Sequence, residues 1–196
     1  MIFDDLYKMY EQDRALIFDL DNTLYDEDKY LFGAYKKIAN SQQNYSDISI
    51  YKFLSDEYRK NGRFNLLDKL DKKFPELDLS LSEMLDLMRT YDGAYIELNL
   101  KKWFLDFLNV VNSDFVIRII TNGNIIQQKN KVDLLNINNL GFETDIVYAS
   151  MYGGKPNIEP YSVLVGSKGF CSPVYIGDSK VDELFAVKLG IDFYHA

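Results

Sequence analysis

Near its start the chain passes from an apolar run into a pair of aspartates, in the stretch Ala15-Leu16-Ile17-Phe18-Asp19-Leu20-Asp21-Asn22-Thr23. A short apolar run without alternation is typical of a strand whose two faces are both covered, as in a parallel sheet under helices. In an open parallel sheet, ligands bind beyond the carboxyl ends of the strands. The stretch therefore predicts a buried strand and, directly after it, one part of a binding site.

Apolar runs of the same kind recur along the second half of the chain. They predict four more strands, at 115–120, 145–148, 173–176 and 192–194. Apolar residues at helical spacing lie between them, at 125–135, 157–165 and 181–189. Strands that alternate with helices predict an α/β fold built on a doubly wound parallel sheet.

The chain from residue 26 to residue 95 shows no comparable strand pattern. Apolar stripes predict helices there around 30–38, 50–58 and 81–88, the last opened by Ser80 and Glu83 in a capping-box pattern. We therefore expect residues 26–95 to form a helical insertion, and residues 1–25 and 96–196 to form the α/β core. Within the insertion, the charged stretch 56–73 is predicted to be rich in loops.

The charge balance restricts the partners that the protein could have. The 196 residues include 22 Lys and Arg against 30 Asp and Glu, a formal net charge of −8. Wide contact with nucleic acid or an anionic membrane needs a basic surface, so we expect neither as a partner. The sequence shows no apolar run near the ~20 residues of a membrane span and no secretory signal pattern. The expected location is the cytoplasm.

The chemistry available to the chain is restricted as well. There is one cysteine, Cys171, which excludes a disulfide framework within the chain and a cysteine-cluster metal site. There is one histidine, His195, which excludes a three-histidine zinc site. Catalysis would therefore depend on carboxylates, lysines, hydroxyls or a metal held by carboxylates.

Polar residues follow four of the predicted strands. These residues are Asp19 and Asp21, then Thr121 and Asn122, then Lys155, then Asp178 and Asp182. Neighbouring carboxylates repel each other unless a cation lies between them, and hard oxygen ligands suit Mg²⁺. Lysine and hydroxyl donors bind anions. One rim of the sheet is thus predicted to hold a magnesium ion and an anionic substrate.

In this order, four groups of residues resemble the four motifs of the haloacid dehalogenase-like superfamily. The groups are Asp19-Leu20-Asp21-Asn22-Thr23, then Thr121, then Lys155, then Gly177-Asp178-Ser179-Lys180-Val181-Asp182. The helical insertion after the first motif is similar to the branch that carries a helical cap at that point. The resemblance implies a Rossmann-like core with a small helical cap that closes over the active site.

The resemblance also implies a mechanism. Asp19 would be the nucleophile that forms an aspartyl-phosphate, and Asp21 would be the general acid and base. Thr121 and Lys155 would bind the phosphoryl oxygens. Mg²⁺ would be held by Asp19, by the backbone carbonyl of Asp21 and by Asp178.

Further residues receive lesser roles from the same resemblance. Asp182 would support the metal site or the lysine. Backbone N–H groups of Leu20, Asp21 and Asn122 would face the phosphoryl group. Apart from the resemblance, Tyr25 is a candidate substrate contact because of its position at the hinge into the insertion, with core packing as the alternative.

These features favour a Mg²⁺-dependent phosphatase that acts on the phosphomonoester of a small metabolite, a nucleoside monophosphate or a sugar phosphate. Dehalogenases of the superfamily lack the second aspartate, whereas Asp21 is present here. A phosphomutase of the same fold is an alternative, against which the absence of histidine from the insertion argues. A catalytically silent regulatory or binding module is another. The sequence leaves the substrate and the oligomeric state open.

Overall fold

The described part of the chain contains one five-stranded parallel sheet. A computed structural model describes residues 2–166 and 169–196. The strands are β1 (Leu16–Phe18), β2 (Val116–Thr121), β3 (Glu143–Tyr148), β4 (Val174–Gly177) and β5 (Asp192–His195). Their order in the sheet is β3-β2-β1-β4-β5, and every neighbouring pair is parallel. The predicted α/β class with a doubly wound parallel sheet is confirmed.

The described residues form nine α-helices around and beyond this sheet. They are α1 (Ile2–Glu11), α2 (Glu27–Asn40), α3 (Asp47–Asn61), α4 (Leu66–Lys73), α5 (Leu81–Arg89), α6 (Lys102–Leu108), α7 (Ile125–Leu134), α8 (Glu159–Val165) and α9 (Lys180–Leu189). Single 3₁₀ turns occur at Ile137–Asn139 and Ala149–Tyr152. Each helix in the described part of the chain is too short or too polar to cross a bilayer.

Both faces of the central strand β1 are covered, which explains its unbroken apolar sequence. Successive side chains of a strand point to opposite faces. Ile17 belongs to a buried cluster with Tyr175 of β4 and Phe185 of α9. Phe18 instead meets Phe104 of α6 edge-on, with ring centroids 5.4 Å apart. Helices on both sides therefore bury this strand completely.

The chain divides into two compact units. One comprises Met1–Glu27 and Asn99–Ala196, and the other comprises Asp28–Leu98. The predicted limits of the helical insertion were residues 26 and 95. The first unit contains the sheet, and helix α1 packs within it, since Tyr10 meets Phe107 and Phe115 edge-on at 6.2 and 5.9 Å.

The second unit is helical, as the apolar stripes indicated, but one detail of the prediction is wrong. Residues 56–73 were expected to be rich in loops, yet α3 continues to Asn61 and α4 occupies Leu66–Lys73. The reason is packing, because Leu66, Leu67 and Leu70 are buried on one side of α4. Three leucines at helical spacing outweigh the high charge of the stretch.

Candidate active site

Three carboxylates lie together at the carboxyl ends of β1 and β4. Asp19 follows β1 directly, and its backbone N–H donates to the Ile176 carbonyl at 2.8 Å, so the sheet still holds it. Asp178 follows β4, and Asp182 lies in the first turn of α9. One side-chain oxygen from each of the three lies within 4.8 Å of the others. The sheet topology thus brings together groups that are far apart in sequence.

Lys155 lies in the middle of this cluster. Its Nζ donates to Asp19 and to Asp182, each at 2.6 Å, and to the hydroxyl of Tyr175 at 2.8 Å. Burial alone would lower the pKa of Lys155, but the negative charges of Asp19 and Asp182 outweigh it and hold the pKa well above its ordinary value. The lysine is therefore a permanent positive charge in this site.

Two side chains fix the position of Lys155. The amide of Asn122 accepts from the Lys155 backbone N–H at 2.7 Å and donates to the Lys155 carbonyl at 3.1 Å. The hydroxyl of Tyr175 donates to the Ile120 carbonyl at 2.8 Å, which leaves its oxygen to accept from Lys155. Burial raises the pKa of Tyr175 well above its ordinary value, so this phenol keeps its proton.

Negative charge exceeds positive charge in the cluster. Burial raises the pKa of Asp19 to about 7, and the charges of Asp182 and Asp21 act in the same direction, against Lys155. Burial and the charge of Asp182 also raise the pKa of Asp178. A set of hard carboxylate oxygens with one cation for three acids fits a divalent ion such as Mg²⁺.

Two local features determine the position of Asp182, namely the start of α9 and a glycine at the end of β4. It forms a capping box with Ser179, whose hydroxyl donates to Asp182 Oδ2 at 2.5 Å. A Cβ atom added at Gly177 would lie 2.7 Å from both Cβ and Cγ of Asp182. Only glycine at the end of β4 therefore lets Asp182 approach Lys155 in this way.

We expect Gly177→Ala to reduce both stability and activity. The added methyl group displaces Asp182, and overpacking of this kind costs about 1–3 kcal/mol. Thermal unfolding measures the first effect, and catalytic turnover measures the second. Gly141→Ala is the control for activity, because a Cβ there meets no atom within 4 Å, and the strain that its φ of +85° adds affects stability without displacing Asp182. If Gly177→Ala keeps wild-type activity, the close approach is not required.

Asp21 is held by three donors. Its Oδ1 accepts from Tyr25 at 2.6 Å and from Lys131 at 2.7 Å, and its Oδ2 accepts from Gln128 at 2.9 Å. Burial would raise the pKa of Asp21, but the charge of Lys131 and the three hydrogen bonds outweigh it, so the pKa lies below its ordinary value. Asp21 is therefore a well-fixed carboxylate.

A cavity of about 240 Å³ connects these groups. Its lining consists of Asp19, Asp21, Asn22, Glu27, Asn122, Lys155, Asp178, Ser179, Val181 and Asp182. Six of the residues singled out from the sequence thus line one cavity. Leu20, Thr121 and Tyr25 are buried and are not part of this lining. The Tyr25 hydroxyl donates to Asp21. The contact between Tyr25 and substrate stays a prediction.

A larger cavity of about 350 Å³ lies at the amino ends of β1 and β2, where it is bounded by Ala15 and Val116. Its Arg14 is already paired with Asp192 and with the Ser172 carbonyl. Since ligands of open parallel sheets bind at the carboxyl ends of the strands, we assign the active site to the smaller cavity.

Sequence reasoning missed the residues behind Asp21, namely Gln128 and Lys131 on α7, together with Glu27. A signal for Gln128 was present in the sequence. Ile125, Gln128, Val132 and Leu135 follow helical core spacing, and a polar residue at a core position indicates a buried polar partner. Only the apolar members of that stripe entered the prediction.

The parallel sheet and its aspartate–lysine rim define a hydrolase of the haloacid dehalogenase-like class. The sequence model of the haloacid dehalogenase-like hydrolase family matches residues 16–196. The chain belongs to this family. Among curated protein sequences, none matches it significantly.

Solved structures of the same fold include enzymes with different reactions. A Thermotoga maritima protein assigned as a beta-phosphoglucomutase has a TM-score of 0.64 and 20% identity, over 93% of this chain and 84% of that chain. The HAD-hydrolase YfnB from Bacillus subtilis, solved with bound magnesium, has a TM-score of 0.61 and 18% identity, over 92% and 86%. The L-2-haloacid dehalogenase from Xanthobacter autotrophicus has a TM-score of 0.59 and 13% identity, over 93% and 77%. At these identities the likeness concerns the fold.

Proposed function

We propose that the protein is a Mg²⁺-dependent phosphatase that hydrolyses phosphomonoesters of a small metabolite. The observation that carries the proposal is that Asp19 and Asp21 line the same cavity, each held by its own lysine. A second carboxylate beside the nucleophile is useful when the leaving group is an oxygen that must receive a proton. A halide leaving group needs no such acid, so Asp21 favours phosphoryl transfer over dehalogenation.

In the proposed reaction, Asp21 first accepts one proton that the phosphomonoester brings into the site. A carboxylate oxygen of Asp19 then attacks phosphorus and forms an aspartyl-phosphate, while Asp21 passes that proton to the departing alcohol. Asp21 then takes a proton from water, which attacks the aspartyl-phosphate and releases inorganic phosphate. Lys155 would bind the phosphoryl oxygens together with backbone N–H groups of Asp21 and Asn122, whose residues line the cavity. The same role for Thr121 and for the backbone N–H of Leu20 stays a prediction, because both residues are buried outside this lining. Lys155 already neutralises Asp19 at 2.6 Å, so its charge is in place before substrate arrives.

Mg²⁺ would be held by carboxylate oxygens of Asp19 and Asp178 and by the backbone carbonyl of Asp21. When bound, it would supply charge neutralisation and polarise a phosphoryl oxygen. Asp182 is near enough to be a ligand. Its two oxygens, however, already accept from Lys155 and Ser179 at 2.6 and 2.5 Å. We therefore assign Asp182 to supporting Lys155.

The alternatives are less well supported. A phosphomutase, the reaction named for the Thermotoga protein, must shuttle protons while it protects the aspartyl-phosphate from water. Histidine is the usual group for such proton transfer near neutral pH, and the second unit has none, since the one histidine is His195. A silent binding module is disfavoured because every catalytic position of the four motifs is occupied.

The experiment that tests the proposal measures phosphate release from 4-nitrophenyl phosphate by the purified protein. We expect turnover with Mg²⁺, loss of turnover with EDTA, and recovery when Mg²⁺ is restored. Chloride release from 2-chloropropionate tests dehalogenation, and isomerisation of glucose 1-phosphate tests the mutase reaction. Phosphate release followed across nucleoside monophosphates and sugar phosphates then identifies the substrate class. Chloride release without phosphate release would contradict the proposal.

We expect Mg²⁺ to stabilise the protein in the absence of substrate. A ligand at about one hundred times its Kd contributes about 2.7 kcal/mol, which is about 5–10 °C in melting temperature for a chain of this size. Asp178→Asn should remove most of this shift, whereas Asp106→Asn, an exposed acid paired with Lys102, should keep it. An equal shift in wild type and Asp178→Asn would exclude Asp178 as a ligand.

A further inference from the structure

Helix α7 directs two polar side chains inward, behind Asp21. Lys131 has no exposed side-chain surface, and its Nζ donates to Asp21 Oδ1 at 2.7 Å and to Glu27 Oε1 at 2.9 Å. Gln128, one turn earlier on the same face, is also buried. Burying a lysine charge costs several kcal/mol unless close partners offset it. An apolar side chain would fill this space at lower cost, so the charge itself calls for an explanation.

The contacts of these two residues define the plane of the Asp21 carboxylate. Lys131 contacts Oδ1 and Gln128 contacts Oδ2, so each oxygen has a fixed donor on α7. Tyr25 adds a second donor to Oδ1 at 2.6 Å. Three donors on two oxygens leave the carboxyl group little freedom to rotate. The remaining surface of Asp21, with 20% of its side chain exposed, belongs to the cavity lining.

The side chain of Gln128 is itself oriented by its neighbours at the end of β2. Its Oε1 lies 3.4 Å from the hydroxyl oxygen of Thr121, and its Nε2 is directed at Asp21. The turn after β2 has the shape that this requires, because a Cβ atom at Gly123 would lie 2.6 Å from Gln128 Nε2. One amide group therefore connects the end of β2 to the carboxylate after β1.

Glu27 balances Lys131 independently of Asp21. It is buried, and its carboxylate accepts from Lys131 at 2.9 Å. The charge of Lys131 would thus have a partner in the buried interior even without Asp21. The contact between Lys131 and Asp21 is therefore available for orienting Asp21.

We propose that Lys131 and Gln128 are positioning residues, which hold the Asp21 carboxylate in the direction required for its two proton transfers. This inference rests on the proposed function, because it assigns proton transfer to Asp21. Neither residue lines the cavity, so both act through Asp21. Misplacement of a reacting group by about 1 Å can cost about 10²-fold in rate, and Asp21 would act twice in each turnover.

The kinetic test compares leaving groups. In Lys131→Met we expect kcat/KM for phenyl phosphate to fall by about 10²-fold. For 2,4-dinitrophenyl phosphate, whose leaving group needs no proton, the expected loss is less than about fivefold. Lys131→Arg keeps the charge and should recover part of the loss. If Lys131 had only a structural role, kcat/KM should fall equally for both substrates. Equal losses would therefore overturn the proposal.

Matched variants separate the proposed effect of Lys131 on the orientation of Asp21 from its effect on the stability of the protein. Lys129→Met makes the same change at an exposed position of α7 and should leave the kinetics unchanged. Glu27→Gln weakens the other ion pair of Lys131 and should lower the melting temperature. If Lys131→Met does not fold, Gln128→Leu tests the same point, since it removes the Oδ2 donor and no charge.

Crystal structures without substrate provide a readout that does not depend on activity. Gln128 Nε2 and Asp21 Oδ2 should stay within hydrogen-bond distance in Lys129→Met, and the Asp21 carboxylate should rotate or lose order in Lys131→Met. An unmoved Asp21 in Lys131→Met would overturn the positioning role. Absence of phosphatase activity in the wild type would instead contradict the proposed function, and the crystal structures would still decide whether Lys131 orients Asp21.

Discussion

Asp19→Asn is expected to abolish phosphate release and, without metal, to raise the melting temperature. The amide cannot act as the nucleophile, so turnover should fall by more than about 10³-fold. Its oxygen can still accept from Lys155, which in the wild type donates to Asp19 at 2.6 Å. The substitution also removes one of three crowded carboxylates. We therefore expect the residue proposed as the nucleophile to destabilise the metal-free fold.

The size of this stabilisation should depend on pH in a defined direction. Burial raises the pKa of Asp19 to about 7 in the folded chain, against an ordinary value of 3.8. The stability that Asp19 contributes is thus complete below pH about 4 and is lost as the pH rises to about 7. Asp19→Asn should melt near the wild-type temperature at pH 4 and clearly above it at pH 8.

Thermal unfolding in EDTA at several pH values checks this result, and Asp106→Asn is the control for an exposed acid. Two outcomes would contradict it. If Asp19→Asn melts below the wild type at pH 8, the carboxylate is not a source of strain. If Asp19→Asn retains full phosphatase activity, Asp19 is not the nucleophile.

Lys155→Met should be equally inactive but should change stability in the opposite direction. The substitution leaves Asp19 and Asp182 buried without their cation. Removing one partner of a buried ion pair costs about 3–5 kcal/mol, which corresponds to a fall of about 6–20 °C in melting temperature. Activity should fall by more than about 10³-fold, because the charge proposed to bind the phosphoryl group is absent.

The matched control is Lys102→Met, since Lys102 is exposed and paired with Asp106. Surface pairs of this kind contribute about 0–1 kcal/mol. The double variant Asp19→Asn with Lys155→Met should be more stable than Lys155→Met alone, because one of the two orphaned carboxylates is removed. If Lys155→Met melts at the wild-type temperature, the charge balance described for this site is wrong.

The strands and the residues at their ends could be predicted because their physical signals are local. An unbroken apolar run such as that of β1 indicates burial on both faces, and a change to polar residues marks the end of the strand. Asp19, Lys155 and Asp178 were found by this rule. Helix α4 was missed because its charges hide three leucines at helical spacing. No prediction covered α1.

The partners of Asp21 could not be obtained in the same way. Whether a lysine on α7 is solvated or buried depends on the residues that pack over it, and those come from distant segments such as Glu27. Polar residues are ordinarily assigned to the exposed face of a helix, so Lys131 was passed over. The distances that make Lys155 the centre of a charge cluster are likewise a product of the tertiary fold.

The amide of Asn122 has a mechanical consequence. The last residue pair of β2 and β3 is Thr121 with Tyr148, yet the Asn122 side chain bonds both the N–H and the carbonyl of Lys155, as a neighbouring peptide group would. The Asn122 side chain thus adds one more pair of hydrogen bonds beyond the last residue pair of β2 and β3. These hydrogen bonds attach the loop that carries Lys155 to the sheet. We therefore expect the lysine and the end of β2 to move together during turnover.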